Sequence, residues 1–130
     1  MRRSILDTNW LCKLWQDRAQ RPLSHWSRED SRRWAKELIE IRGTNAIVTP
    51  VALEFLTGVR PGEADLAQTY LDEFDILDGG KIPREDWERA KKYAQRIPRD
   101  GKPRDLGDCL IKAIADRFGR DVDTRDKRFP

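Results

Sequence analysis

Short apolar segments that predict β-strands alternate with helical patterns along the whole 130-residue chain, and no other feature constrains the fold as strongly. Strands are predicted at residues 4–6, 46–48 and 75–77, with a weaker one around Val122. Helical periodicity separates one strand from the next. This alternation favours an α/β sandwich with a parallel-dominated sheet. The length suits a single domain that spans residues 1–130.

Several predicted helices begin with a recognisable capping signal. Ser27 and Asp30, three residues apart, have the pattern of a capping box. Thr49 followed by Pro50 predicts an N-cap and a first helical residue, and Asp105 is the predicted N-cap of the last helix. The predicted helices pass through or span residues 10–15, 27–43, 49–58, 62–74, 83–97 and 106–118, with a loop at 98–104.

Charge and cysteine content exclude some classes of protein. Lys and Arg number 26 against 23 Asp and Glu, and this net charge of +3 permits contact with a polyanion without establishing it. The two cysteines lie far apart, without CxxC spacing or a histidine cluster, which argues against a zinc site. No apolar run approaches the roughly 20 residues of a membrane span, and no signal pattern precedes the first strand. We therefore expect a cytoplasmic protein with free thiols.

Acidic residues follow the predicted strands, or lie at the start of the helix that precedes the last strand. Each of them also has an ordinary structural role that would explain its presence. Asp7 could be an N-cap, and Asp126 could be a turn residue. Asp105 and Asp108 suit the first turn of the last helix, and Glu54 could face solvent. The carboxyl ends of parallel strands meet at one edge of a sheet, so we expect the carboxylates to converge there.

Converging carboxylates repel one another, and a divalent cation relieves that repulsion most simply. Oxygen ligands without His or Cys favour Mg²⁺ or Mn²⁺ over Zn²⁺. The residues alone thus favour a hard-cation site at the edge of the sheet.

The acidic residues stand in motifs that resemble, in order, those of PIN-domain nucleases. The spacing and the total length are most similar to the VapC-type toxins of bacterial toxin-antitoxin pairs. The motifs are Ile5-Leu6-Asp7-Thr8-Asn9, Val48-Thr49-Pro50 with Glu54-Phe55-Leu56-Thr57-Gly58, Asp108-Cys109-Leu110-Ile111 with Ala113-Ile114-Ala115, and Thr124-Arg125-Asp126 with Phe129.

This resemblance implies a PIN-like three-layer sandwich, in which helices flank a central, mostly parallel sheet of four to five strands. It implies an endoribonuclease in which a water molecule activated by Mg²⁺ or Mn²⁺ hydrolyses single-stranded or looped RNA. By position, the catalytic and metal-binding acids correspond to Asp7, Glu54, Asp108 and Asp126, with Asp105 as a further metal ligand and with Thr8, Asn9 and Thr124 as supporting residues.

The resemblance also implies partners. A nuclease toxin is held inactive by a cognate antitoxin, and we expect the antitoxin to direct an Arg or Lys towards Asp7 and Asp108. Trp10, Leu14 and Trp15 give the first helix more apolar surface than one buried face uses, which predicts an antitoxin or homodimer contact.

Other aromatic and reactive residues have simpler predicted roles. Trp34 and Trp87 lie in helical apolar stripes and are predicted to be core residues. His25 has no partner at catalytic spacing, and Cys109 is predicted to be a small buried residue.

Two other functions stay open from the sequence. The segment before Thr124 is almost wholly charged, whereas the family usually has an apolar strand there, and the chain ends at Pro130 without the further strand common in the family. A catalytically weakened PIN-like module that binds RNA or a protein partner is therefore the alternative function. A phosphohydrolase on another α/β fold is disfavoured, because Asn9 stands where a second acid is expected.

Overall fold

The structure of the protein, a computed structural model, describes residues 3–96 and 101–130. Four strands and six α-helices make up this part of the chain, joined in places by short 3₁₀ turns at Leu23–His25 and Pro61–Glu63. In chain order the elements are β1 Ser4–Leu6, α1 Thr8–Arg18, α2 Arg28–Arg42, β2 Ala46–Ile47, α3 Thr49–Thr57, α4 Ala64–Leu71, β3 Asp75–Ile76, α5 Arg84–Gln95, α6 Leu106–Arg117 and β4 Asp121–Asp123.

The strands pair in parallel, two by two. β4 pairs with β1 so that Ile5 lies opposite Val122, and β2 pairs with β3 so that Ile47 lies opposite Ile76. β1 and β2 are neighbours, and the Thr44 hydroxyl donates a 2.8 Å hydrogen bond to the Ser4 carbonyl between them. The helices pack around these strands, with α5 against α6, α2 against α4, and α1 against both α2 and α3. The predicted α/β class with parallel strands and flanking helices is confirmed.

The centre of the core is aromatic, and Trp15 lies in the middle of it. The Trp15 ring centroid is 5.1 to 5.8 Å from the ring centroids of Trp26, Trp34, Phe55 and Tyr70. Only 5% of Trp15 is exposed. The prediction that Trp15 contacts a partner is therefore wrong, because α1 is covered on two sides, by α2 and by α3.

The two tryptophans predicted as core residues have different surroundings. Trp34 is 2% exposed, as expected for a core residue, whereas half of Trp87 is exposed. The prediction for Trp87 is wrong, because in the described part of the chain α5 packs extensively against one helix only, α6. Trp87 instead lines a surface groove of about 350 Å³ between these two helices, with Leu106 and Leu110.

Most predicted element boundaries hold to within two residues, and the differences have local causes. α3 begins at Thr49 and its N-cap is Val48, so Thr49 is not the cap. The Thr49 amide instead donates to Asp78 Oδ1 at 2.8 Å. The helix predicted at 62–74 divides into a 3₁₀ turn and α4.

The capping predictions that rest on carboxylates are confirmed. Ser27 and Asp30 form a capping box, in which the Ser27 amide donates to Asp30 Oδ2 at 2.8 Å. Asp105 caps α6. The predicted end of the fifth helix at Ile97 and the predicted loop residues 98–100 lie outside the described residues. In the described ranges, no helix has the length and apolar character needed to cross a bilayer.

Candidate active site

Asp7 follows β1 directly, and its buried carboxylate is fixed by neighbours from both ends of the chain. Oδ1 accepts a 2.8 Å hydrogen bond from the Thr8 amide, and Oδ2 accepts one of 2.6 Å from the Thr124 hydroxyl. Burial raises the pKa of Asp7 most, these two hydrogen bonds lower it, and the charges of Asp126 and Asp105 raise it again. Asp7 is also the N-cap of α1, so the capping interpretation is correct, and it leaves Oδ2 directed to Thr124 within the predicted site.

Hydrogen bonds of Asn9 and Thr124 hold the turn after β4 against the start of α1. The Asn9 side-chain amide donates to Thr124 Oγ1 at 3.0 Å, and Asn9 Oδ1 accepts from the Arg125 amide at 3.3 Å. The Asp126 amide donates to the same Thr124 oxygen at 3.0 Å. The exposed Asp126 is thereby held near Asp7, and its charge contributes to the raised pKa of Asp7.

Glu54 is half-buried on α3 and faces α1 rather than open solvent. Its Oε2 accepts a 2.9 Å hydrogen bond from the Thr8 hydroxyl. Burial raises the pKa of Glu54 most, the Thr8 bond lowers it, and the negative charges of Asp105 and Asp7 raise it further. The neighbouring Leu53 is 60% exposed, so the apolar residues around Glu54 in the sequence do not all lie in the core.

Asp105 and Asp108 lie at the start of α6. Asp105 Oδ1 accepts from the Asp108 amide at 3.0 Å, which is the N-cap bond of this helix. Burial, as the largest cause, and the carboxylates of Asp7, Asp105, Asp126 and Glu54, in that order, together raise the pKa of Asp108 to about 7. All five predicted acids therefore belong to one electrostatic cluster, contributed by the end of β1, by α3, by the start of α6 and by the turn after β4.

The cluster suits a hard divalent cation by the chemistry of its donors. All five groups offer carboxylate oxygens, and their mutual repulsion is the kind of energy that a divalent cation removes. Within the described residues, however, no group of three or more His, Cys, Asp or Glu side chains is arranged as a ready-made ion site. Several of the carboxylate oxygens instead accept protein hydrogen bonds, such as those from Thr8 and Thr124.

Sequence reasoning missed an ion pair that supports this site. Arg42 donates to both carboxylate oxygens of Asp123 at 2.9 Å, and Trp10 Nε1 donates to Asp123 Oδ1 at 3.1 Å. The Arg42 guanidinium also lies 4.0 Å from the centre of the Trp10 ring. Arg42 lies in the last turn of α2 and Asp123 in β4, so only the pairing of β4 with β1 reveals that they meet.

Trp10 and Leu14 are the predicted partner-contact residues that lie at the surface. They line a shallow pocket of about 160 Å³ with Leu38, Ile41 and Arg42. Ile41 is 61% exposed. An apolar surface beside the site is thus present without Trp15.

The comparisons with known proteins identify the family but no individual relative. A family model described as PIN domain matches residues 5–130. No curated protein and no solved structure matches the chain. Proteins with this domain are generally nucleases and typically use divalent metal ions. Because a PIN-domain model matches nearly the whole sequence, the chain belongs to the PIN domain family.

Proposed function

We propose that this protein is an Mg²⁺- or Mn²⁺-dependent endoribonuclease that acts as the toxin of a toxin-antitoxin pair. The observation that carries the proposal is the set of carboxylates around Asp108: Thr8 donates to both Asp7 and Glu54, and Asp105 accepts from the Asp108 amide at 3.0 Å. Burial and four neighbouring carboxylates raise the pKa of Asp108 to about 7. Such a concentration of negative charge is costly without a cation, and strongly shifted pKa values are typical of functional sites. Membership of a family of nucleases directs the interpretation towards phosphodiester hydrolysis.

The chain's own residues divide into ligands and supports. Asp7, Glu54, Asp108 and Asp126 would hold the cation, with Asp105 beside them. When bound, the cation would activate a water molecule and neutralise charge on the phosphate.

The supporting residues act on the orientation of these carboxylates. Thr8 donates through its amide to Asp7 and through its hydroxyl to Glu54, so one residue orients two carboxylates. Asn9 and Thr124 fix the second oxygen of Asp7 and the turn that carries Asp126.

Basic residues next to the acidic cluster favour a polyanionic substrate. Arg125 and Lys127 flank Asp126 and are exposed. Arg104 lies nearby and donates to the Arg128 carbonyl at 3.2 Å. Positive side chains of this kind bind phosphate groups without selecting particular bases. They could therefore hold the backbone of an RNA strand next to the carboxylates.

The nuclease proposal is tested by RNA cleavage with Mg²⁺ or Mn²⁺ against an EDTA control. Asp7→Asn and Asp108→Asn should each abolish cleavage while the protein stays folded. Asp65→Asn is the matched control, because Asp65 is an exposed carboxylate in the first turn of α4. Cleavage that survives EDTA, or that survives both site substitutions, would refute the assignment.

The toxin role requires a partner that blocks the site. We propose an antitoxin that directs an Arg towards Asp7 and Asp108, since a guanidinium matches a carboxylate pair. An apolar segment of the antitoxin would pack into the pocket lined by Trp10, Leu14 and Ile41. Expression of the protein alone should arrest bacterial growth, and Asp7→Asn should relieve the arrest. Harmless expression of folded, cleavage-competent protein would refute the toxin role but not the nuclease.

A homodimer is the proposed oligomeric state of the free protein. Sedimentation equilibrium measures it directly, and a monomer at micromolar concentration would refute it.

A catalytically weakened module is the second candidate function, and the hydrogen bonds on the carboxylates are the observation that favours it. Glu54 Oε2 and Asp7 Oδ2 already accept hydrogen bonds from Thr8 and Thr124. A cation that binds these oxygens must either share them with the hydroxyl groups or replace the hydrogen bonds, and both weaken its binding. Folded protein that binds single-stranded RNA, but neither cleaves it nor responds to Mn²⁺, would identify this second function.

A further inference from the structure

We propose that Gly107 is a positioning residue of the candidate active site. Its missing side chain allows the Glu54 carboxylate to lie against the first turn of α6, next to Asp105 and Asp108. This inference rests on the proposed metal-dependent nuclease, and it concerns a residue that the acidic motifs do not include.

The space above Gly107 is already occupied by Glu54. A Cβ atom built on Gly107 would overlap Glu54 Oε1 and would lie 3.2 Å from Glu54 Cδ. It would also lie 3.1 Å from Asp105 Oδ1, the oxygen that caps α6. At Gly58, by comparison, the corresponding atom meets only the Phe55 carbonyl oxygen, at an ordinary 3.7 Å. Any residue larger than glycine at position 107 therefore competes directly with the Glu54 carboxylate.

Backbone conformation does not explain the glycine. Gly107 is the second residue of α6 and is not one of the glycines with positive φ. Glycine is among the least favourable residues within a helix, so its presence here costs helix propensity. The contact with Glu54 is the feature of the structure that favours it, because any larger residue displaces the Glu54 carboxylate from its observed position.

Glu54 is held on its other side as well. Its Oε2 accepts the 2.9 Å bond from the Thr8 hydroxyl, while Oε1 faces Gly107. A methyl group on residue 107 would push the carboxylate by roughly 1 Å, away from α6, before ordinary contact is restored. The substitution would thus move one carboxylate of the cluster without removing its charge.

The test uses Gly107→Ala, with Gly58→Ala as the matched control. In the Gly107→Ala protein, kcat for RNA cleavage should fall by about a hundred-fold, the scale expected for a 1 Å misplacement, while KM changes little. The increase in melting temperature on adding Mn²⁺ should shrink. The melting temperature without metal should stay equal or rise, because alanine is the better helix former. Gly58→Ala should leave kcat and the response to Mn²⁺ unchanged.

A second substitution tests whether Glu54 mediates the effect. Glu54→Asp shortens the side chain, so in the Gly107→Ala protein it should restore part of the Mn²⁺ response, whereas in the wild-type protein it should reduce that response. If Gly107→Ala is unstable, Glu54→Ala in the same protein should restore its melting temperature. Absence of restoration in either case would overturn the proposal.

A crystal structure of the Gly107→Ala protein tests the positioning role of Gly107 independently of whether the protein is a nuclease. Displacement of the Glu54 carboxylate with loss of the Thr8 bond supports the positioning role, whether or not the wild-type protein cleaves RNA. An unmoved carboxylate, or wild-type kcat and Mn²⁺ response in the variant, would overturn it. A wild-type protein without cleavage or Mn²⁺ response would instead refute the proposed function.

Discussion

Replacement of Asp108 by Asn should stabilise the metal-free protein, and the stabilisation should depend on pH. In the folded protein burial and four carboxylates raise the pKa of Asp108 from 3.8 to about 7. The folded state therefore binds a proton more tightly than the unfolded state does. Stability falls as pH rises from about 4 to about 7, and the full penalty persists at higher pH.

The size of the penalty follows from the pKa difference. At 1.36 kcal/mol for each pKa unit, a shift of this size corresponds to an upper limit of about 4 kcal/mol. Asp108 is only partly buried, and solvent and salt screen much of that energy. We therefore expect Asp108→Asn to raise the free energy of unfolding by about 1 to 2 kcal/mol near pH 8, with a gain that declines steadily towards pH 4.

Urea unfolding in EDTA, followed by tryptophan fluorescence, measures this difference. The five tryptophans include the buried Trp15 and Trp34, so the signal reports loss of the core. Asp65→Asn, which removes an exposed carboxylate, should change stability little at either pH. A gain for Asp108→Asn that is absent near pH 8, or that is the same at pH 8 and pH 4, would refute the electrostatic argument.

Three further predictions concern the metal, an ion pair and the aromatic core. Mn²⁺ at 100 times its dissociation constant should add about 2.7 kcal/mol to the stability of the wild-type protein and nothing to that of Asp7→Asn, as measured by thermal unfolding. Asp86 is fully buried and accepts from Arg117 Nε at 2.9 and 3.0 Å. Asp86→Ala should therefore cost about 3 kcal/mol in urea unfolding, whereas Lys13→Ala, which breaks an exposed pair, should cost less than about 1 kcal/mol. Trp15→Ala should cost about 3 to 5 kcal/mol, and the same measurement on Trp87→Ala should give a much smaller loss because half of that side chain is exposed.

Local signals in the sequence predicted the parts of the fold that short-range contacts determine. The capping box at Ser27 and the N-cap at Asp105 involve residues three apart, so their pattern is visible without a tertiary structure. The alternation of strands and helices likewise predicted the α/β class. Thr49 shows the limit of this approach, because its amide is satisfied by Asp78 from a distant turn and not by a local cap.

The burial of individual aromatic residues could not be predicted in the same way. An apolar stripe indicates that one face of a helix is buried, but it does not tell how many elements cover that helix. Trp15 is enclosed because α2 and α3 both pack on α1, whereas Trp87 is half exposed because α6 is the one helix, within the described ranges, that packs extensively against α5. The number of covering elements is a property of the topology and does not appear in the helix's own sequence.

The charged character of β4 was the strongest sequence argument for a weakened enzyme, but the structure shows that the least exposed charge of this strand, that of Asp123, has partners. The Asp123 side chain is only 7% exposed, but both of its carboxylate oxygens accept from Arg42 and one also accepts from Trp10. A buried charge with such partners is compensated, so β4 pairs with β1 over its full length. That pairing brings the next residue, Thr124, to the 2.6 Å hydrogen bond with Asp7. The ion pair of this strand therefore secures the turn that carries Asp126. Arg42→Ala should release that turn and so lower the proposed RNA cleavage and the proposed rise in melting temperature on adding Mn²⁺, and wild-type values for both in this variant would refute the argument.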